Sequence, residues 1–142
     1  MYRNILCPID GSTTSLAGMK EAIALGKALK SRIRFIYVLD TFIYATAAGL
    51  DVTDQVRTIG QNLLDGAVAE AAHAGVEASS EILETSGIAV AQAILDDAKS
   101  WKAHVIVLGT HGRQGLTHLV LGSDAEKVVV SSNVPVLLVR HE

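Results

Sequence analysis

The sequence contains very little cysteine, proline and aromatic residue. Its 142 residues include one cysteine and two prolines, and only 4% are aromatic. The single cysteine, Cys7, lies in an apolar stretch without a partner for an intramolecular disulfide, so we interpret it as a small buried hydrophobic residue. The shortage of cysteine excludes a disulfide-stabilised secreted scaffold and favours a reducing compartment.

The sequence also lacks concentrated positive charge and long hydrophobic runs. Twelve basic and 15 acidic residues give a net charge of −3, and no segment gathers Lys and Arg, which argues against nucleic acid as a partner. No window approaches the roughly 18 apolar residues that a membrane-spanning helix needs. The opening MYRNILCPIDGS differs from a signal peptide because its apolar run is short and ends at Pro8 and Asp10. We therefore expect a soluble, cytoplasmic protein without membrane insertion.

What the sequence does contain is a regular alternation of strands and helices, with 49% hydrophobic residues, enough for the core of one domain over residues 1–142. Short apolar runs predict five strands: Asn4–Ile9, Ile33–Leu39, Val76–Leu83, His104–Leu108 and Val134–Arg140. Apolar residues at steps of three and four predict four helices: Ser15–Lys30, Val52–Ala74, Gly87–Lys99 and Asp124–Ser132. The stretch Thr41–Asp51 shows no sustained period and is interpreted as a flap or a partner surface.

This order of elements predicts an α/β fold. Apolar strands joined through helices by short connections form parallel sheets with helices on both faces. We expect a Rossmann-like, doubly wound sheet of five strands in the order 3-2-1-4-5. In such sheets ligands bind at the carboxyl ends of the strands where the winding reverses, which here is between strand one and strand four. Asp10 and Gly109 follow those two strands, so the topology predicts that they meet at one site.

A glycine-rich stretch, Gly109–Ser123, connects strand four to the last helix. Its spacing is G-x2-G-x9-G-S through Gly109, Gly112 and Gly122, which differs from a P-loop and from G-x-G-x-x-G. Glycines let a ligand approach the backbone, and the first N–H groups of a helix have no intrahelical partner. A loop of this kind before a helix predicts an anion site, with Ser123 adding a hydroxyl and also serving as an N-cap.

At this point the chain resembles the ATP-binding branch of the universal stress protein family over its whole length. The resemblance rests on the P-x-D of Pro8 and Asp10, on the glycine spacing and on the closing N-x-P-V-L-x-V that begins at Asn133. It implies the Rossmann-like sheet, ATP at strands one and four, and a homodimer formed through the last strand, Val134–Arg140; we expect ATP to bind together with Mg²⁺. The ATP contacts that it implies are Pro8, Ile9, Asp10, Val38 at the adenine, and Leu108, Gly109, His111, Gly112, Gly122 and Ser123 at the ribose and phosphates.

Two charged residues add to this set from the residues themselves. Arg113 is a candidate phosphate partner or a solvated loop arginine. Asp124 directly follows Gly122-Ser123, where many ATP-binding relatives have an uncharged residue. A carboxylate at this position repels a polyphosphate unless Mg²⁺, Arg113 or a turn of the side chain away from the site compensates, so the number of bound phosphates stays open.

Several alternatives remain open beside nucleotide binding. The glycines could serve only turns and packing, Asp10 could cap a helix, and His111 and His118 are more typical of plain loop residues than of a metal site. No catalytic set can be assembled, and no metal ligands are predicted. A regulatory dimer that binds ATP is favoured over a slow ATPase or phosphotransferase using Asp10 or His111. The third alternative is a nucleotide-free dimeric scaffold with a partner surface at Phe42, Ile43 and Tyr44.

Overall fold

The computed structural model describes residues 1–46, 51–110 and 121–141, and all structural statements below concern these residues. The five strands are β1 (Asn4–Pro8), β2 (Arg32–Asp40), β3 (Ala78–Thr85), β4 (Val105–Gly109) and β5 (Val136–Val139). The helices are α1 (Thr13–Leu29), α2 (Thr41–Thr46), α3 (Thr53–His73), α4 (Val90–Trp101) and α5 (Ser123–Ser131). None of these helices combines the length and the apolar character needed to cross a bilayer.

The strands form one parallel sheet in the order β3-β2-β1-β4-β5, which confirms the predicted topology. Along β1, Ile5 pairs with Ile33 of β2 on one side and with Val105 of β4 on the other. The central strand is therefore the one from which the sheet winds in both directions. The predicted solvated face of strand three is consistent with its position, because β3 lies at an edge of the sheet and alternates between exposed and half-buried residues.

Two hydrophobic clusters fill the space on either side of the sheet. One face of the strands packs against α1 and α3, with Phe35 and Tyr37 among its largest fully buried side chains. The other face packs against α4 and α5, where Ile94 and Val128 are buried. Because side chains along a strand alternate between the two faces of the sheet, consecutive residues of one strand pack into different clusters.

The helix boundaries follow from local capping. The Ser12 side chain accepts a hydrogen bond from the Ser15 N–H at the start of α1, which identifies Ser12 among the three N-cap candidates. Gly75 follows α3 with φ of +80°, as expected for a helix-terminating glycine. Gly87 has φ of +72° and lies in a turn, so α4 begins only at Val90, later than predicted.

Two further segments form helix although the intrinsic preferences of their residues do not indicate it. The run Val128-Val129-Val130 has strand-forming residues, yet it is helical in α5, as predicted from the preceding residues. The start of the undeciphered stretch forms the short helix α2. The Asp40 carboxylate accepts the Phe42 N–H at 3.0 Å, so the last residue of β2 supplies the hydrogen bond that starts this helix.

Candidate functional site

The carboxyl ends of β1 and β4 meet at the middle of the sheet, at the point where the strand order reverses. The chain continues the β1 ladder one residue beyond Pro8, because the Ile9 N–H donates to the Ile36 carbonyl at 2.8 Å. Asp10 comes next and is half-buried at this edge. On the other side, β4 ends at Gly109, which pairs with Val139 of β5. The predicted convergence of the two strand ends is present.

Asp10 is held in place by the first turn of α1. Its Oδ1 accepts the Ser12 N–H at 2.8 Å, and its own N–H donates to Ser15 Oγ at 3.2 Å. Asp10 therefore orients the chain just before the helix, while Ser12 performs the capping. No hydrogen bond from the described part of the chain reaches Asp10 Oδ2, which leaves that oxygen able to accept from a ligand hydroxyl.

Asp124 lies close enough to Asp10 for the two carboxylates to interact. Loss of water around its carboxyl raises the pKa of Asp124 although the residue as a whole is exposed; Lys127 lowers it, and the negative charge of Asp10 raises it again. Asp124 is thus near enough to the carboxyl end of β1 to sense the charge of Asp10. Two acidic groups from opposite ends of the sequence concentrate negative charge at the switch point.

The N-terminus of α5 is open. Gly122 is the N-cap residue and Ser123 is the first helical residue, so the prediction that Ser123 serves as the N-cap is wrong. The reason is that Gly122 is already extended, with φ of −61° and ψ of 149°, and its carbonyl accepts the first helical hydrogen bond from Glu126. No side chain of the described residues caps this helix. The first N–H groups of α5 are therefore available to an anion.

Gly122 itself does not supply a free amide. Its N–H donates to the Thr110 carbonyl at 2.7 Å, and the Thr110 N–H donates in turn to Val139 at 3.0 Å. The expectation that the Gly122 N–H binds a phosphate needs correction, because that donor already has a protein partner. The hydrogen bond joins the two ends of the glycine stretch and ties them to β5.

Gly109 has a packing role that the sequence pattern does not reveal. A Cβ at this position would lie 2.6 Å from the Thr14 carbonyl carbon and 2.8 Å from the Ser15 nitrogen. Real Cβ atoms do not approach backbone atoms so closely. The absence of a side chain therefore lets α1 pack directly against the end of β4, and the packing interpretation applies to this glycine.

The apolar candidates divide between the two faces of the sheet. Val38 and Leu108 belong to the cluster beneath α4 and α5, with Val38 half-buried and Leu108 buried. Ile9 points into the opposite cluster and is 3% exposed, so only its backbone is available to a ligand. Pro8 is buried as the last residue of β1. Val38 and Leu108 thus lie on the same face of the sheet.

His111, Gly112 and Arg113, together with His118, lie outside the described residues. Among the described residues no group of three or more His, Cys, Asp or Glu side chains is arranged to hold a metal ion.

Asp40, the last residue of β2, is not among the predicted site residues. It is 9% exposed at the end of β2, and its Oδ1 accepts the N–H groups of both Phe42 and Gly87, each at 3.0 Å. The carboxylate therefore joins α2 to the turn that precedes α4. The signal was available, since Asp40 follows an apolar strand just as Asp10 does.

The family model described as the universal stress protein family matches residues 1–140. A universal stress protein of Methanocaldococcus jannaschii is 35% identical over 144 residues, covering 99% of this chain and 83% of that protein.

Solved structures share the same architecture. A universal stress protein in complex with cAMP aligns over 97% of both chains, with 22% identity and a TM-score of 0.74. The universal stress protein of Archaeoglobus fulgidus in complex with dAMP also has 22% identity and a TM-score of 0.74, covering 97% of this chain and 98% of that one. At these identities the structural matches establish a common fold.

Proposed function

Because the chain belongs to the universal stress protein family, we propose that it binds an adenine nucleotide, ATP with Mg²⁺, at the junction of β1 and β4 and acts as a nucleotide-dependent regulatory dimer. The observation that carries this proposal is the meeting of Asp10 with the open N-terminus of α5. One supplies an acceptor for a ribose hydroxyl, and the other supplies backbone donors for phosphate oxygens.

The ligand class is supported by the shape of the site and by the relatives. Val38 and Leu108 offer an apolar wall of the kind that a planar base needs, and the backbone beyond β1 is close to it. Proteins of the same fold are known in complex with cAMP and with dAMP, which are both adenine nucleotides. We therefore place the adenine at Val38, the ribose at Asp10 and the phosphates at Ser123 and the first turn of α5, and we keep His111, Gly112 and Arg113 as proposed phosphate contacts.

Mg²⁺ has a specific task in this arrangement. The carboxylates of Asp10 and Asp124 already interact, and a polyphosphate adds further negative charge at the same place. A divalent cation bound to the phosphates would reduce this repulsion. We propose that ATP binds as its Mg²⁺ complex and that the metal is held by the nucleotide.

A hydrogen-bonded connection links the site to the proposed dimer strand. From the N-cap of α5 it passes through Thr110 to Val139 in β5, which is the exposed edge of the sheet. An unpaired strand edge is a template for a second copy of the chain. We propose that the segment Val134–Arg140 pairs with itself across a two-fold axis, and that nucleotide binding at α5 alters this interface.

The buried thiol is consistent with a cytoplasmic protein. Cys7 is fully buried in β1, and burial raises its pKa far above the ordinary value, so the thiol stays protonated. An inert cysteine needs no oxidising environment, and we propose the cytoplasm as the compartment.

The test of nucleotide binding is a thermal shift on protein freed of any nucleotide that survives purification. At an ATP concentration of about 100 times Kd, a domain of this size should gain about 5–10 °C in melting temperature. Mass spectrometry of the small molecules released from denatured, freshly purified protein identifies which nucleotide was carried.

A matched pair of variants makes the test specific. Gly122 has a backbone conformation that any residue adopts, so Gly122→Val should fold while its branched side chain obstructs the helix N-terminus. Gly66→Val introduces the same side chain on the exposed face of α3, where nothing lies within 4 Å. The proposal predicts that only Gly122→Val loses the ATP-dependent shift. No shift in the parent protein, or an equal loss in both variants, would overturn it.

A further inference from the structure

A cleft of about 590 Å³ opens at the end of the sheet where the strands begin, opposite the carboxyl ends of the strands. It is bordered by the C-terminal ends of α1 and α3 and by residues that precede or start the strands. The candidate nucleotide site lies at the carboxyl ends of β1 and β4, which is the opposite end of these strands. The two sites are therefore separate, and this inference does not depend on nucleotide binding.

The cleft is strongly basic although the chain is acidic. Its lining contains four Lys or Arg side chains and one acid: Arg3, Lys27, Lys30, Arg32 and Glu77. Within the described part of the chain, none of the four cations forms an ion pair. The lining thus carries three net positive charges in a molecule whose total net charge is −3. Such a concentration of one sign attracts anions from solution.

Helix dipoles account for only part of this charge. Lys27 lies in the last turn of α1 and Lys30 is its C-cap, where cations offset the negative end of a helix. Arg3 precedes β1 and Arg32 begins β2, so neither has a helix terminus to neutralise. These two arginines give the cleft a positive charge beyond what the adjoining helix end requires.

Arg32 is held ready for a ligand. Its guanidinium carbon lies 5.2 Å from the centre of the Trp101 ring, and its Nε donates to Asn4 Oδ1 at 2.9 Å. These contacts fix the plane of the guanidinium while leaving its two terminal nitrogens unpaired within the described residues. A planar pair of N–H donors matches the oxygens of a phosphate.

His104 adds a donor whose tautomer is set by the backbone. The Asn4 N–H donates to His104 Nδ1 at 3.0 Å, so Nδ1 has no proton and the neutral ring carries its hydrogen on Nε2. His104 lines the cleft, and Nε2–H is its remaining polar group. The same asparagine therefore positions both Arg32 and His104.

Lys30 occupies its place at a conformational cost. Its backbone has φ of 56°, in the left-handed region where glycine is the least costly residue. Lys102 ends α4 in the same left-handed conformation, so this is a regular helix C-cap. Here it keeps a cation at the rim of the cleft.

We propose that this cleft binds a small polyanion carrying two or more phosphate groups. Its volume falls within the range of pockets for small molecules, and its cations surround the space from several chain segments. A compact ligand with several negative charges would contact these cations together.

Tripolyphosphate in Mg²⁺-free buffer at physiological ionic strength is the probe, with calorimetry and amide NMR as readouts. We expect tripolyphosphate bound in the cleft to shift the Asn4 and His104 amide signals. Arg3→Gln combined with Lys27→Gln removes two exposed cations and should weaken binding about tenfold. Lys20→Gln combined with Lys99→Gln removes equal charge from exposed positions outside the lining and should change affinity less than twofold. Gly122→Val should leave the shifts of the Asn4 and His104 amide signals as they are in the parent.

Lys30→Gly separates binding from folding. Glycine relieves the left-handed backbone, so this variant should unfold at a higher temperature while binding tripolyphosphate more weakly. The proposal is overturned by an absence of binding, by equal weakening in both double variants, or by loss of binding in Gly122→Val alone. Binding of hexaglutamate as tight as that of tripolyphosphate would also overturn it in favour of an acidic peptide.

Discussion

At the scale of single residues, the charge of the candidate nucleotide site is set by Asp10 and Asp124. Asp10 has one oxygen engaged by the Ser12 N–H, whereas Asp124 has a raised pKa because partial burial and the charge of Asp10 both disfavour its ionised form. A phosphate group at the N-terminus of α5 would be attracted by the helix amides and repelled by the Asp124 carboxylate. The balance between them is open to measurement.

Asp124→Asn should strengthen ATP binding. Removal of one negative charge beside the phosphates is expected to lower the Kd for ATP about three- to tenfold without Mg²⁺, and by less when Mg²⁺ is present. Calorimetric titration with ATP and AMP measures the effect. Glu126→Gln is the matched control, since Glu126 is exposed and lies in the same first turn. An equal gain in both variants would contradict a local role for Asp124.

The raised pKa of Asp124 also predicts how stability depends on pH. The folded chain holds this proton more tightly than the unfolded chain, in which the pKa has its ordinary value of 3.8. The contribution of Asp124 to the free energy of unfolding therefore falls as pH rises from 3.8 through its folded-state pKa, and the ionised group remains unfavourable above that point. The free energy of unfolding measured in urea at pH 7 should be larger for Asp124→Asn than for the parent. This difference should shrink as pH approaches 3.8. A pH-independent difference would contradict the assignment.

At the scale of elements, close contacts between helices and strands depend on missing side chains. Gly109 lets α1 approach the end of β4, and Gly60 lets α3 lie against the ring of Tyr37. A Cβ at residue 60 would come within 2.6 Å of that fully buried ring. Gly66, on the same helix, is exposed and has nothing within 4 Å of its Cβ position. One helix therefore holds two glycines with opposite consequences.

Gly60→Ala and Gly66→Ala should change stability in opposite directions. Overpacking against Tyr37 is expected to cost about 1–3 kcal/mol in Gly60→Ala. Alanine on the exposed face of α3 is expected to add about 0.5–1 kcal/mol in Gly66→Ala, because alanine loses less backbone freedom on folding than glycine does. Chemical denaturation of both variants measures the difference, and a gain in Gly60→Ala would show that α3 can shift on the sheet.

At the scale of the whole molecule, the two edges of the sheet are unequal. The β3 edge carries an ion pair network, in which Arg57 of α3 contacts Glu84 of β3 at 2.8 Å. On the β5 side, Leu137 of the strand is 38% exposed and Val130 of the adjoining helix α5 is 78% exposed. Unpaired strands with apolar surroundings are prone to self-association, so the proposed dimer belongs at β5.

Leu137→Lys should weaken the dimer. A lysine at the proposed interface places two like charges near each other across the two-fold axis and removes apolar contact, which should raise the dimer dissociation constant roughly tenfold or more. Sedimentation velocity over a concentration series measures it. Ile59→Lys is the control, because Ile59 is an exposed isoleucine on α3. A parent protein that is monomeric at all concentrations would rule out this interface.

The class of fold, the strand order and the meeting of the ends of strands one and four follow from the sequence pattern alone. Hydrophobic periodicity is a local property, and parallel sheets joined by right-handed crossovers admit few arrangements, so these features could be predicted from Asn4–Ile9 through Val134–Arg140. The polar turns at Asp10 and Gly109 were identified for the same reason. Element boundaries were less accurate, as at α4, because they depend on caps and on backbone conformations such as that of Gly87.

The contacts of individual groups depend on how the chain folds. The Gly122 amide is bonded to Thr110, Gly109 serves packing against α1, and the charge of Asp10 helps to raise the pKa of Asp124. The basic cleft belongs to the same class of finding, because no segment of the sequence is rich in cations and yet Arg3 and Arg32 line one space with the lysines that end α1. Each of these features involves residues that are far apart in the sequence, and hydrophobic periodicity describes only neighbouring residues. Their hydrogen bonds, distances and charges arise only when the fold brings distant segments together.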